Sequence, residues 1–91
     1  MLFMIIEKFK QGKAPDVYRR FREKERMAPE GLLYHSSWVD LEFQRCFQVM
    51  EAESEEKVHA WTAKWEDLVD FEIIPVRTSA EASAAIAPQL G

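Results

Sequence analysis

The eight residues LFMIIEKF at positions 2–9 constrain the fold more than any other stretch. Their β-branched and aromatic side chains mark a strand, and Gln11-Gly12-Lys13 marks the turn that ends it. A strand with one wet face alternates apolar and polar residues, because successive side chains point to opposite sides of a sheet. Here both sets are apolar, Leu2, Met4 and Ile6 against Phe3, Ile5 and Phe9. The same holds in RCFQVM, where Cys46 and Met50 oppose Phe47 and Val49, and in VDFEIIPV, where Phe71 and Ile73 oppose Ile74 and Val76. Such a sheet has to be shielded from water on both faces.

The remaining pattern supplies cover for one face. Pro15 suits a first helical turn, and Ala14, Val17, Tyr18, Phe21 and Ala28 lie within about 100° of one another, with Arg19, Glu23 and Arg26 opposite. Pro29-Glu30-Gly31 ends this helix. LLYHSSWVD (32–40) and QRCFQVMEA (44–52), joined by a polar link around Asp40 to Phe43, read as an antiparallel hairpin. Ser54 caps a second helix with the apolar stripe Val58, Trp61, Thr62, Trp65 and Leu68. Residues 69–76 form a fourth strand, with Pro75 near an edge or a strand end. Thr78-Ser79-Ala80-Glu81 is a capping box that opens a short alanine-rich helix, stopped by Pro88. With right-handed crossovers, β-α-β-β-α-β plus a C-terminal helix gives an α+β, ferredoxin-like domain over residues 1–91: a four-stranded antiparallel sheet with two helices on one face.

A chain of 91 residues buries only roughly 60 to 65% of its unfolded surface by itself, so the second face calls for a second copy. MLFMII has no basic stretch before it and runs straight into Glu7 and Lys8, so neither a signal peptide nor a membrane span is expected, and the location expected is cytoplasmic. Cys46, the only cysteine, excludes an internal disulfide and a cysteine-rich zinc site; it is either a small buried side chain or a reactive thiol. Eight of the twelve Lys and Arg precede residue 27, while ten of the sixteen acids lie between Asp40 and Glu72, at a net charge of −4. That balance is poorly suited to a polyphosphate backbone. RCFQVM also lacks the glycines of the RNA-recognition motif, which shares this topology, so no nucleic acid is expected.

By analogy with that motif, the odd-numbered residues of the first and third strands face away from the helices. Phe3, Ile5, His35, Phe47 and Val49 are then the expected dimer interface, with His35 beside Arg45. The opposite parity would place Tyr34, Ser36, Trp38, Cys46 and Gln48 in a small pocket roofed by Tyr18, Trp61 and Trp65, an aromatic cleft with a few convergent polar groups. Alternatively, those polar groups satisfy one another inside a filled core. Glu25 falls on the apolar side of the first helix, about 40° from Phe21, where it is either a partly buried carboxylate or, if the helix frays ahead of Pro29, paired with Arg22 or solvated. Arg19, Arg20, Arg22 and Arg26 share no single face and read as ordinary charged surface. His59 flanks the stripe of the second helix and is expected to be solvated. No nucleophile–base pair, metal-ligand spacing or glycine-rich phosphate loop is present, so neither a metal nor another cofactor is expected.

MLFMIIEKF, RFREKERMAPEGLLYHSSWVD, RCFQVMEA and WTAKWEDLVDFEIIPVRTSAEA together resemble the bacterial domain-of-unknown-function 3303 family, over nearly the whole chain. Similarity of that family to the dimeric α+β barrels implies two protomers packed sheet to sheet with their helices outside. The wider superfamily includes cofactor-free monooxygenases, haem-degrading enzymes and muconolactone-type isomerases; the resemblance carries over no catalytic residue. One function expected on this basis is binding of an aromatic or lipophilic compound against Trp38, Trp61 and Trp65, with oxygenase- or isomerase-like activity. The other is a non-catalytic homodimeric module. A pocket of roughly 300 Å³ or more separates the first from the second.

Overall fold

The first strand, β1 (Leu2–Phe9), is central in the computed structural model, which describes residues 1–91. It is followed by α1 (Ala14–Lys24), the hairpin β2 (Leu33–Val39) and β3 (Arg45–Glu51), α2 (Glu55–Thr62), β4 (Val69–Val76) and α3 (Ser79–Ile86), with a 3₁₀ turn over Ala87–Leu90. The sheet order is β2-β3-β1-β4, antiparallel throughout, which is the ferredoxin-like arrangement. No helix is long and apolar enough to cross a membrane.

Residues of β1 and β3 that share the front face are set by their pairing, in which Phe3 opposes Met50, Ile5 opposes Gln48 and Glu7 opposes Cys46. Phe3, Ile5, Met50 and Val58 are wholly buried there, with Trp61, Trp65, Leu68 and Val69 packed over them. Each large side chain so enclosed contributes roughly 1.5–3 kcal/mol. All five residues of the expected α2 stripe are buried, although the regular helix stops at Thr62 and Trp65 and Leu68 sit on the turns beyond it.

This register corrects the expected interface. Odd residues of β1 pair with even residues of β3, so Phe3 and Ile5 cannot share a face with Phe47 and Val49; they are core residues beneath the helices. Met4 and Ile6 take their place on the back, opposite Val49 and Phe47. Because both parities of β1 are apolar, pattern alone left that choice open.

The back of the sheet is an apolar surface open to solvent. Leu2, Met4, Ile6, Phe47 and Val49 are only partly covered, Leu33 and Trp38 are each 59% exposed, and Ile74 and Val76 lie alongside. Beyond β4, the capping box forms as its sequence predicts: the Thr78 hydroxyl accepts from the Glu81 N–H at 3.1 Å, and the Glu81 carboxylate accepts from the Thr78 N–H at 3.2 Å. No residue of α3 or of the turn after it is buried.

Candidate functional site

A β-bulge in the edge strand decides what reaches the front face. Tyr34 pairs with Met50, but the register shifts at His35, and from there Ser37 opposes Gln48 and Val39 opposes Cys46. Tyr34, Ser37 and Val39 therefore face the helices, whereas Ser36 and Trp38 turn to the back beside Val49 and Phe47. The expected pocket is corrected accordingly: Ser36 and Trp38 leave it, and Ser37 and Val39 enter. One inserted residue flips every later side chain, a change that alternation counting does not detect. His35 lies on the back, paired with Glu51 at 2.8 Å rather than set beside Arg45. His59, 60% exposed at its side chain, pairs with Glu55 at 3.0 Å on the outer surface of α2.

Between helices and sheet lies a partly open cleft of about 280 Å³. Val17, Tyr18 and Phe21 of α1 form one wall, and Trp61 and Trp65 another. Phe9 and Glu7 of β1, Cys46 and Gln48 of β3, and Ser37 and Val39 of β2 make the floor, with Arg26 at the side. Of the eight residues expected there, Tyr18, Cys46, Gln48, Trp61 and Trp65 line it. Tyr34 borders it, its hydroxyl 2.8 Å from that of Ser37. The volume falls just below the range usual for small-molecule sites.

Glu7 was not singled out in the sequence, although its place in Phe3-Ile5-Glu7-Phe9 puts an acid on a strand face that is otherwise apolar. It is 8% exposed. Burial away from water pushes its carboxyl up to about 7, against the smaller opposing effects of a hydrogen bond from Cys46 and the Arg26 charge. The same enclosure pushes the Cys46 thiol up to about 12, helped by the negative charge of Glu7. Cys46 is thus a buried, protonated thiol, not a nucleophile at neutral pH. The Tyr18 hydroxyl is raised for the same reasons, with burial first.

Arg26 departs from the expected surface role because α1 unwinds at Glu25, short of Pro29. Glu25 (φ 57°) and Met27 (φ 59°) adopt left-handed backbone on either side of it, turning Arg26 toward the sheet. Glu25 itself is exposed, as the fraying alternative predicted. The Arg26 carbonyl accepts from both indoles, Trp61 at 2.8 Å and Trp65 at 3.2 Å, and Lys64 donates to the Met27 carbonyl at 3.0 Å. The Arg26 guanidinium lies 3.6 Å from the Tyr34 ring centre and 5.2 Å from that of Phe21, with Nε donating to the side-chain Oε1 of Gln48 at 3.4 Å. Other arginines do serve the surface: Arg20 makes a two-pronged pair with Asp67, and Arg19 reaches Asp16.

The arrangement combines aromatic walls, a carboxyl that changes charge near neutrality and a cation at the rim. It can hold a flat apolar body while presenting a proton acceptor and a positive charge to its polar end. Every buried side-chain nitrogen and oxygen also has a partner within the chain. No three His, Cys, Asp or Glu side chains gather where a metal ion would be held.

No curated protein and no solved structure matches the chain. A family model does, under the description "Domain of unknown function (DUF3303)", over residues 1–90. By sequence covering all but the last residue, the chain belongs to the DUF3303 family.

Proposed function

We propose that the protein binds a small aromatic or lipophilic molecule in the front cleft, and that it works as a homodimer packed back to back. The observation that carries the binding reading is the convergence of Glu7, Gln48 and Arg26 on a cleft walled by Tyr18, Phe21, Trp61 and Trp65. At the roughly 30 Å³ that a water molecule occupies, its 280 Å³ equals about nine waters, room for a compound of one or two rings. An isomerase-like or cofactor-independent oxygenase-like activity fits a site whose only strongly perturbed side chains in reach are proton donors and acceptors.

The dimer rests on the back face. Four strands about 4.8 Å apart and seven or eight residues long span on the order of 500 Å², short of the roughly 800 Å² that each partner buries in a standard interface. The exposed α3 and the turn after it, with Ile86 and Leu90, supply further area. Met4, Ile6, Trp38, Phe47 and Val49 form the seam, with His35 at its margin.

Tryptophan fluorescence titrated with a panel of quinols and aromatic acids tests the binding reading, and no change at millimolar ligand refutes it. The second reading, a non-catalytic homodimeric module, is favoured by the internal satisfaction of the buried polar atoms and by a cleft volume of about 280 Å³, just under the roughly 300 Å³ that marks the first. A protein that dimerises yet leaves the whole panel unbound would fit it.

A further inference from the structure

The two charge-bearing groups of the cleft are not spent on each other. No carboxylate lies within 4.0 Å of the Arg26 guanidinium, and of its nitrogens only Nε makes a hydrogen bond, a long one to Gln48. The backbone holds it in place at a cost, with a non-glycine residue in left-handed conformation on each side and two indole N–H groups clamped on its carbonyl. Strain of this kind concentrates where a side chain has to be presented to something. Glu7 lies on the floor of the same cleft, held by Cys46 in preference to any cation.

We infer, resting on the binding reading above, that the ligand is a ring compound with a weakly acidic proton, carried on the carbon beside a carbonyl or on an enol or phenol oxygen. Glu7 accepts that proton, and Arg26 takes the oxyanion left behind. For the carbonyl case, a bond forms between a Glu7 carboxylate oxygen and the α-proton as the C–H bond breaks. The C–H electron pair becomes the enolate double bond, and the carbonyl π pair moves onto the oxygen beside Arg26. Return of the proton to the far carbon of a conjugated enolate completes an isomerisation; return to the same carbon is an exchange. Neither needs an oxidant or a reductant.

Glu7 must be ionised to accept a proton, so the step gains speed as pH rises through about 7. The titratable groups facing it are Cys46 from β3, Tyr18 from α1 and Arg26 from the connection after α1. The first two are pushed upward and stay protonated through neutrality. β4 and the α2 region bring only Phe71, Trp61 and Trp65.

The probe is 2-tetralone, a two-ring ketone with exchangeable α-protons, with binding followed by tryptophan fluorescence and exchange into heavy water by proton NMR. The wild-type protein should accelerate exchange by at least about 100-fold over buffer, with the rate climbing through about pH 7. Glu7→Gln should still bind within about threefold and lose the acceleration, Glu7→Asp should retain part of it, and Arg26→Leu should lose both affinity and rate. Binding of 2-tetralone without exchange above buffer, or exchange in Glu7→Gln equal to wild type, overturns the assignment while leaving the binding reading intact. Absence of 2-tetralone binding at millimolar probe overturns the inference, and the binding reading falls with it only if the quinol and aromatic-acid panel also leaves the fluorescence unchanged. Should Glu7→Gln fail to fold, the wild-type pH profile decides, a rise through about 7 supporting the inference and a flat profile overturning it.

Discussion

Replacing Glu7 by Gln should change how stability depends on pH, in a direction fixed by its enclosure. In the unfolded chain the carboxyl ionises near 4.5; in the fold it holds its proton to about 7. Below 4.5 both states are protonated and the fold carries no penalty. Between 4.5 and 7 the unfolded state releases its proton and gains free energy that the folded state cannot, so stability falls as pH rises. Above 7 both are ionised and the loss levels off. At about 1.4 kcal/mol per pH unit, the interval from 4.5 to about 7 amounts to about 3 kcal/mol. Glutamine does not titrate, so the stability of the variant relative to wild type should rise by about 2 kcal/mol on going from acid to pH 6, and by about 3 kcal/mol by pH 8. Urea unfolding followed by tryptophan fluorescence at several pH values measures this, and other titrating groups cancel in the comparison. Parallel curves for the two proteins between pH 5 and 8 would refute the reasoning.

Four further outcomes follow from the same geometry. Val49→Lys places a charge in the centre of the proposed seam, and sedimentation should change from a dimer of about 21 kDa, twice the 10.7 kDa chain, to the single chain. Glu25→Gly relieves a left-handed residue at the end of α1 and should stabilise the protein by about 1 kcal/mol in urea unfolding. Trp61→Phe removes an indole donor from the Arg26 carbonyl and opens space in the core, at a cost of about 1–3 kcal/mol by the same assay. Cys46 should resist iodoacetamide in the native protein at pH 7.5 and react once urea exposes it, as followed by mass spectrometry.

Element order was legible because each signal is local. The first and last strands of the chain, β1 and β4, match their expected bounds, and the Thr78–Glu81 capping box is present. Facing was not legible, because it depends on partners distant in sequence. The β1–β3 register moved Phe3 and Ile5 into the core, and the bulge at His35 exchanged Ser36 and Trp38 for Ser37 and Val39. Glu7 could have been found by asking why a carboxylate continues the Phe3-Ile5 face. Arg26 could not, since only the unwinding at Glu25 separates its position from a helical surface. The apolar character of both sheet faces survived these exchanges, since Met4 and Ile6 are as apolar as the residues they replace.

The three tryptophans provide a direct test with an internal control. Trp61 and Trp65 line the cleft with their indole N–H groups on one carbonyl, while Trp38 stands on the far side of the sheet. In a ¹⁵N-labelled sample titrated with 2-naphthol, the side-chain signals of Trp61 and Trp65 should shift together and that of Trp38 should stay in place. Movement of Trp38 alone, or of none of the three at millimolar ligand, would contradict a front-face binding site.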